Sequence, residues 1–83
     1  MTWRLVFTAR AGRDIAALDG ATKERVGRAL RRLAIDPVAN SKRLSQPTLG
    51  TFRFRIGDYR VVFDIAGKDV VVLRVGHRSS IYR

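Results

Sequence analysis

The chain has 83 residues, with 17 lysines and arginines against 7 aspartates and glutamates, a formal net charge of +10. The absence of cysteine excludes disulfide scaffolds and thiolate zinc sites, and neither a signal-peptide run nor the roughly 18 consecutive apolar residues of a membrane span is found. These features predict one small, soluble, cytoplasmic domain over residues 1–83, with no membrane partner. Its 46% hydrophobic content is that of a globular chain. So short a chain without a covalent staple folds on apolar packing or gains stability from a partner. Only Lys23, Lys42 and Lys68 of the basic residues are lysines. Arginine suits planar, bidentate recognition of phosphate, so a polyanionic or acidic partner is expected.

Trp3, Leu5 and Phe7 alternate with Arg4 and Val6, the period of a strand with one buried face. Thr8 is placed to cap a helix over about 9–18, with Ile15 and Leu18 on its apolar stripe and Asp19-Gly20 breaking it. A second helix over about 21–35 sets Val26, Ala29, Leu30 and Leu33 at helical spacing, with Lys23, Arg25, Arg28, Arg31 and Arg32 mostly opposite. Such a charge run is most simply a solvated face. Asp36-Pro37 ends the helix, because the residue before proline is pushed out of the helical region. The short link between the helices predicts a hairpin.

Residues 38–50 show no period and read as an irregular connection. A strand meander follows over 51–56, 59–65 and 70–75, with turns at Gly57-Asp58 and around Gly67-Lys68-Asp69. The predicted fold class is α+β, in the order β-α-α-β-β-β, with the helical hairpin on a small, mainly antiparallel four-stranded sheet.

A two-residue turn with glycine first at Gly57-Asp58 makes opposite partners of Ile56 and Tyr59, Arg55 and Arg60, Phe54 and Val61, Arg53 and Val62, and Phe52 and Phe63. Opposite residues share a face, so Phe52, Phe54, Ile56, Tyr59, Val61, Phe63 and Ile65 form one apolar surface and Arg53, Arg55 and Arg60 collect on the other. Arg55 facing Arg60 sets like charges where they oppose pairing, a cost an anion would relieve; charged residues also decorate solvent faces and edges without further function. A three-residue second turn would keep Val71, Leu73 and Val75 on the core face and put Arg74 on the basic one, and it is preferred because a two-residue turn would bury arginine. The tail adds His77, Arg78 and Tyr82 just past the last strand. A lone histidine there is more often packed or hydrogen-bonded than catalytic, and continuing the core parity points it to the apolar side. Tyr82 is either a packing residue or a platform for a nucleobase.

The segments Phe52-Arg53-Phe54-Arg55-Ile56-Gly57-Asp58-Tyr59-Arg60-Val61-Val62-Phe63, Val72-Leu73-Arg74-Val75-Gly76-His77-Arg78 and Ile81-Tyr82-Arg83 resemble the RelE/ParE superfamily of toxin–antitoxin toxins. The element order agrees along essentially the whole chain, and the resemblance is closer to the RelE branch. It implies a RelE-like fold, a cognate acidic, RelB-like antitoxin in a hetero-oligomer, and ribosome-dependent endonucleolytic cleavage of mRNA that inhibits translation. It also implies that Arg53, Arg55, Arg60, Arg78 and Tyr82 surround the scissile phosphate and adjacent base. The second-strand pair is Arg/Arg where RelE-like toxins often carry lysine, and the glutamate and histidine that serve other relatives as base and acid are not matched.

The implied reaction is attack of a ribose 2′-hydroxyl on the adjacent phosphate, giving a cyclic phosphate and a free 5′-hydroxyl. Arginine remains protonated in proteins, which suits it to stabilising transition-state charge and not to taking a proton. His77 is the one side chain whose ordinary range suits proton transfer near neutrality. One histidine with scattered carboxylates makes no metal set, so neither metal nor cofactor is expected. Two other functions compete: a non-enzymatic inhibitor of DNA gyrase, as in ParE-like members, and an inactive relative that only binds an antitoxin.

Overall fold

A computed structural model describes residues 3–37, 52–81 and the backbone of 42–43. The chain runs β1 (Arg4–Phe7), α1 (Ala9–Ala16), α2 (Gly20–Leu33), β2 (Lys42–Arg43), β3 (Phe52–Ile56), β4 (Tyr59–Ala66) and β5 (Asp69–His77). The sheet order is β1-β5-β4-β3-β2, with β1 parallel to β5 and every other pairing antiparallel. The α+β class and the order of the predicted elements hold. The two-residue β2, pairing Lys42 with Arg53 and Arg43 with Phe52, lies inside the segment expected to be irregular and lines the outer edge of β3. No helix of the described residues is long and apolar enough to cross a membrane.

Local chemistry sets the helix ends. The Thr8 hydroxyl accepts from the Ala11 amide at 3.1 Å, and the Asp19 carboxylate accepts from the Thr22 amide at 2.9 Å. Asp19 therefore starts the second helix as well as following the first, and each helix stops about two residues short of its expected C-terminal end. Ala11, Val26, Ala29, Leu30 and Leu33 pack with Phe54, Ile56, Val61, Phe63, Val70, Val72 and Val75 in one core cluster, so both helices cover the same face of the sheet. Helix α1 lies against β5 and β1, and α2 against β3.

The β3–β4 register is the one the Gly57-Asp58 turn dictates, from Phe52 opposite Phe63 to Ile56 opposite Tyr59. Gly57 takes φ +58° and, among the described residues, no non-glycine residue has positive φ, as a two-residue turn with glycine first requires. The second turn departs from expectation. It also has two residues, Gly67 (φ +62°) and Lys68, with Ala66 opposite Asp69. Val70 and Val72 face the core in place of Val71 and Leu73. Arg74 still escapes burial in the core, because a β-bulge at Leu73 shifts the register so that Phe63 pairs with Val72 and Val62 with Arg74. A two-residue turn would bury an arginine only if alternation ran unbroken, and the bulge breaks it. Val75 returns to the core face and Arg74 reaches the basic one.

The bulge sits where β1 leaves β5 and α1 takes over that edge. The Thr8 amide donates to Val72 O at 3.1 Å and its hydroxyl to Leu73 O at 3.2 Å. One turn further, Asp14 Oδ2 accepts from Arg74 Nε at 2.8 Å and from the Val75 amide at 3.0 Å. Beyond β5 the amides of Ser80 and Ile81 both donate to His77 O at 3.0 Å. This turn seats the fully buried Ile81 against Gly76, where an added Cβ would lie 3.6 Å from that of Ile81.

Asp14→Ala leaves the Val75 amide without its acceptor and Arg74 without its counter-charge, and is expected to cost about 2–3 kcal/mol in chemical denaturation. Gly67→Ala meets open space but a left-handed backbone, with an expected loss of about 1 kcal/mol, or ~4–8 °C in Tm. Hydrogen bonds from Thr22, its hydroxyl and then its amide, hold the Asp19 carboxyl below the ordinary aspartate value, and a hydrogen bond from Arg4 does the same for Asp69. A carboxyl lowered on folding binds its proton more tightly in the unfolded chain. Its stabilising contribution is therefore complete above the unfolded value and is lost as pH falls below it. Carboxyl-carbon NMR titration should find both below the unfolded-peptide value, with the denaturation midpoint falling between pH 6 and pH 3.

Candidate anion site at the hairpin tip

The register places Arg55 directly opposite Arg60 on the face away from the core, with Arg53 two positions along β3. The Gly57-Asp58 turn then gathers the charges. Arg60 Nη1 donates to Gly57 O at 2.9 Å and to Tyr59 O at 3.0 Å, and Arg55 Nε donates to the same Gly57 oxygen at 3.3 Å. Two guanidiniums thus converge on one carbonyl at the tip of the hairpin. Opposed cations hold this arrangement at a cost, which an anion between them would offset.

Asp58 brings in the tail. Its backbone oxygen accepts from the Arg78 amide at 2.8 Å, and its carboxylate lies 3.9 Å from Arg78 Nε, both side chains being well exposed. Glycine at 76, opposite Arg60, together with Ile81 behind it, lets the tail fold back beside the tip. The structure therefore brings together Arg55, Arg60 and Arg78, with Arg53 on the same face. Arg74 shares that face but is committed to Asp14, with 20% of its side chain exposed. Tyr82 lies outside the described residues.

His77 is differently engaged. It stands opposite Tyr59, on the parity of the core face, with the two rings edge-on at 5.6 Å between centroids. Its Nδ1 accepts from the Ser79 amide at 3.1 Å and lies 2.8 Å from the Ser79 hydroxyl. The imidazole thereby caps the tail turn, and Nε2 is the nitrogen left for other partners.

Arg25, by its spacing one of the solvated helix charges, lies at the tip. A Cβ built on Gly57 would collide with the Arg25 guanidinium, so this α2 side chain lies against the α-carbon of the residue whose carbonyl holds Arg55 and Arg60. Helical periodicity alone could not find it, because the contact depends on how α2 sits over β3. No group of three or more potential metal ligands occurs among the described residues.

Comparison with known proteins agrees with this architecture. The family model described as the ParE toxin of type II toxin–antitoxin systems matches residues 5–82. The curated protein Toxin RelG of Mycobacterium tuberculosis (strain ATCC 25618 / H37Rv) is 36% identical over 86 residues, covering 100% of this chain and 99% of that protein. Among solved structures, the toxin–antitoxin complex RelBE2 of M. tuberculosis contains a chain that superposes with TM-score 0.84 at 33% identity, over 94% of this chain and 100% of that one. A chain of the archaeal RelE–RelB complex from Pyrococcus horikoshii OT3 shares the fold, with TM-score 0.77 at 23% identity over 96% and 99% of the two chains. The chain belongs to the RelE/ParE family of type II toxin–antitoxin toxins.

Proposed function

We propose that this toxin is a ribosome-dependent mRNA endonuclease whose scissile phosphate sits at the hairpin tip. The observation that carries the reading is the convergence of Arg55 and Arg60 on the Gly57 carbonyl, with Arg78 held beside them through Asp58. Attack of the ribose 2′-hydroxyl forms a bond to phosphorus and breaks the bond to the 5′-oxygen, leaving a 2′,3′-cyclic phosphate. Negative charge rises on the phosphoryl oxygens in the transition state. Guanidiniums already aimed at one point stabilise that charge with little reorganisation.

No arginine serves as a base, so alignment of the 2′-hydroxyl by a programmed ribosome supplies much of the acceleration. Arg53 extends the cationic face along the strand, and Tyr82 is the residue we assign to the adjacent base. His77 acts through the tail turn it caps, positioning Arg78; any role in proton transfer would fall to Nε2. The partner that restrains the toxin is an acidic, RelB-like antitoxin, since the related structures are toxin–antitoxin complexes and this chain carries ten excess positive charges. The reaction uses no metal or cofactor.

Purified protein added to translating ribosomes should give discrete cleavage sites in toeprinting. Arg60→Ala and Arg78→Ala should each lower the single-turnover rate about 100-fold or more while retaining the fold. His77→Gln should lower it far less and leave its pH profile unchanged; a large loss with a changed profile would place the imidazole in proton transfer. Inhibition of gyrase supercoiling without RNA cleavage would replace this reading with the ParE-like one.

A further inference from the structure

Helix α2 and β3 enclose a groove of about 710 Å³ that opens from the hairpin tip. Arg25, Arg28, Arg31, Arg32 and Arg55 line it, and Ile35, 62% exposed, lies at its far end. Among the described residues its lining contains no acidic side chain. None of the four helix arginines has an ion pair to a described carboxylate, whereas Arg4, Arg10, Arg74 and Arg78 each do.

We propose that this groove is a track for the phosphate backbone of the RNA strand whose scissile phosphate occupies the tip, with Arg25 joining the two. The inference rests on the tip being a phosphate site. Three observations favour a nucleic-acid strand over an acidic peptide. The groove is continuous with the tip, because Arg55 belongs to both and Arg25 lies against Gly57. Arg25, Arg28 and Arg32 fall at i, i+3 and i+7, a stripe about 10 Å long at ~1.5 Å per residue. That length matches about three stacked nucleotides at ~3.4 Å each. The exposed Ile35 at the far end offers an apolar surface to a base, beside guanidiniums that pair bidentately with phosphate as they would with carboxylate. A strand held this way contacts the protein without regard to sequence, so the track adds affinity and direction but no base preference.

The test is the salt dependence of binding of an all-2′-deoxy single-stranded 10-mer, which has no attacking hydroxyl. Arg25, Arg28 and Arg32 are exposed, so their joint replacement by Gln should leave the melting temperature nearly unchanged. It should lower the slope of log K against log salt by about 2, at ~0.7 per lost single-strand contact. Arg55→Ala with Arg60→Ala should lower it separately. An unchanged slope in the α2 variant overturns the proposal; if that variant then loses affinity for a polyglutamate peptide, the groove belongs to an acidic protein segment. A reduced slope in the α2 variant, with no ribosomal cleavage by the wild type, keeps the track and removes the endonuclease reading.

Discussion

The left-handed backbone of Gly57 is the constraint on which the rest of the site depends. A two-residue turn there allows one pairing of β3 with β4, and a slip of one residue would exchange every side chain between the two faces. Phe54, Ile56, Val61 and Phe63 then build the floor beneath the helices, and Arg53, Arg55 and Arg60 take the opposite side, with Val62 buried among them. The same residue leaves its carbonyl as the meeting point of Arg55 and Arg60 and its bare α-carbon as a seat for Arg25. Register and electrostatics are therefore two results of one backbone conformation.

The second determinant is the edge of β5. A strand that pairs in parallel with β1 for four residues and is then covered by a helix needs new partners for its outward backbone groups. Thr8 and Asp14 provide them, on either side of the bulge at Leu73. Asp14 also engages Arg74 of the basic face, whereas Arg55 and Arg60 at the tip and Arg25, Arg28, Arg31 and Arg32 on α2 have no ion pair to a described carboxylate. The position of one carboxylate thus helps decide which arginines remain available to a ligand.

Much of this was readable from the residues because it depends on short-range rules. Alternation exposed the strands, Thr8 announced its helix, and Gly57-Asp58 specified the register that aligns Arg55 with Arg60. The exceptions share a cause in tertiary context. Lys42 and Arg43 have no strand signature, and their pairing follows from the open edge of β3. The bulge at Leu73 carries no local mark in a run of valines and leucine, since what demands it is the helix taking over the β5 edge. Arg25 could not be told from Arg31 by periodicity, because only the distance from α2 to Gly57 separates a solvated cation from one at the tip. For His77 the alternation from Val75 does apply, since β5 continues to that residue and pairs it with Tyr59.

The pair on β3 being Arg53 and Arg55, with no lysine, has a consequence for control. A lysine cluster under mutual repulsion can shed protons and lose its charge as its surroundings change; guanidiniums keep theirs throughout the range in which a cell lives. The charge of the cationic surface is therefore indifferent to a modest pH excursion. What can change such a surface is the counter-charge brought to it from outside, since its own charge is fixed.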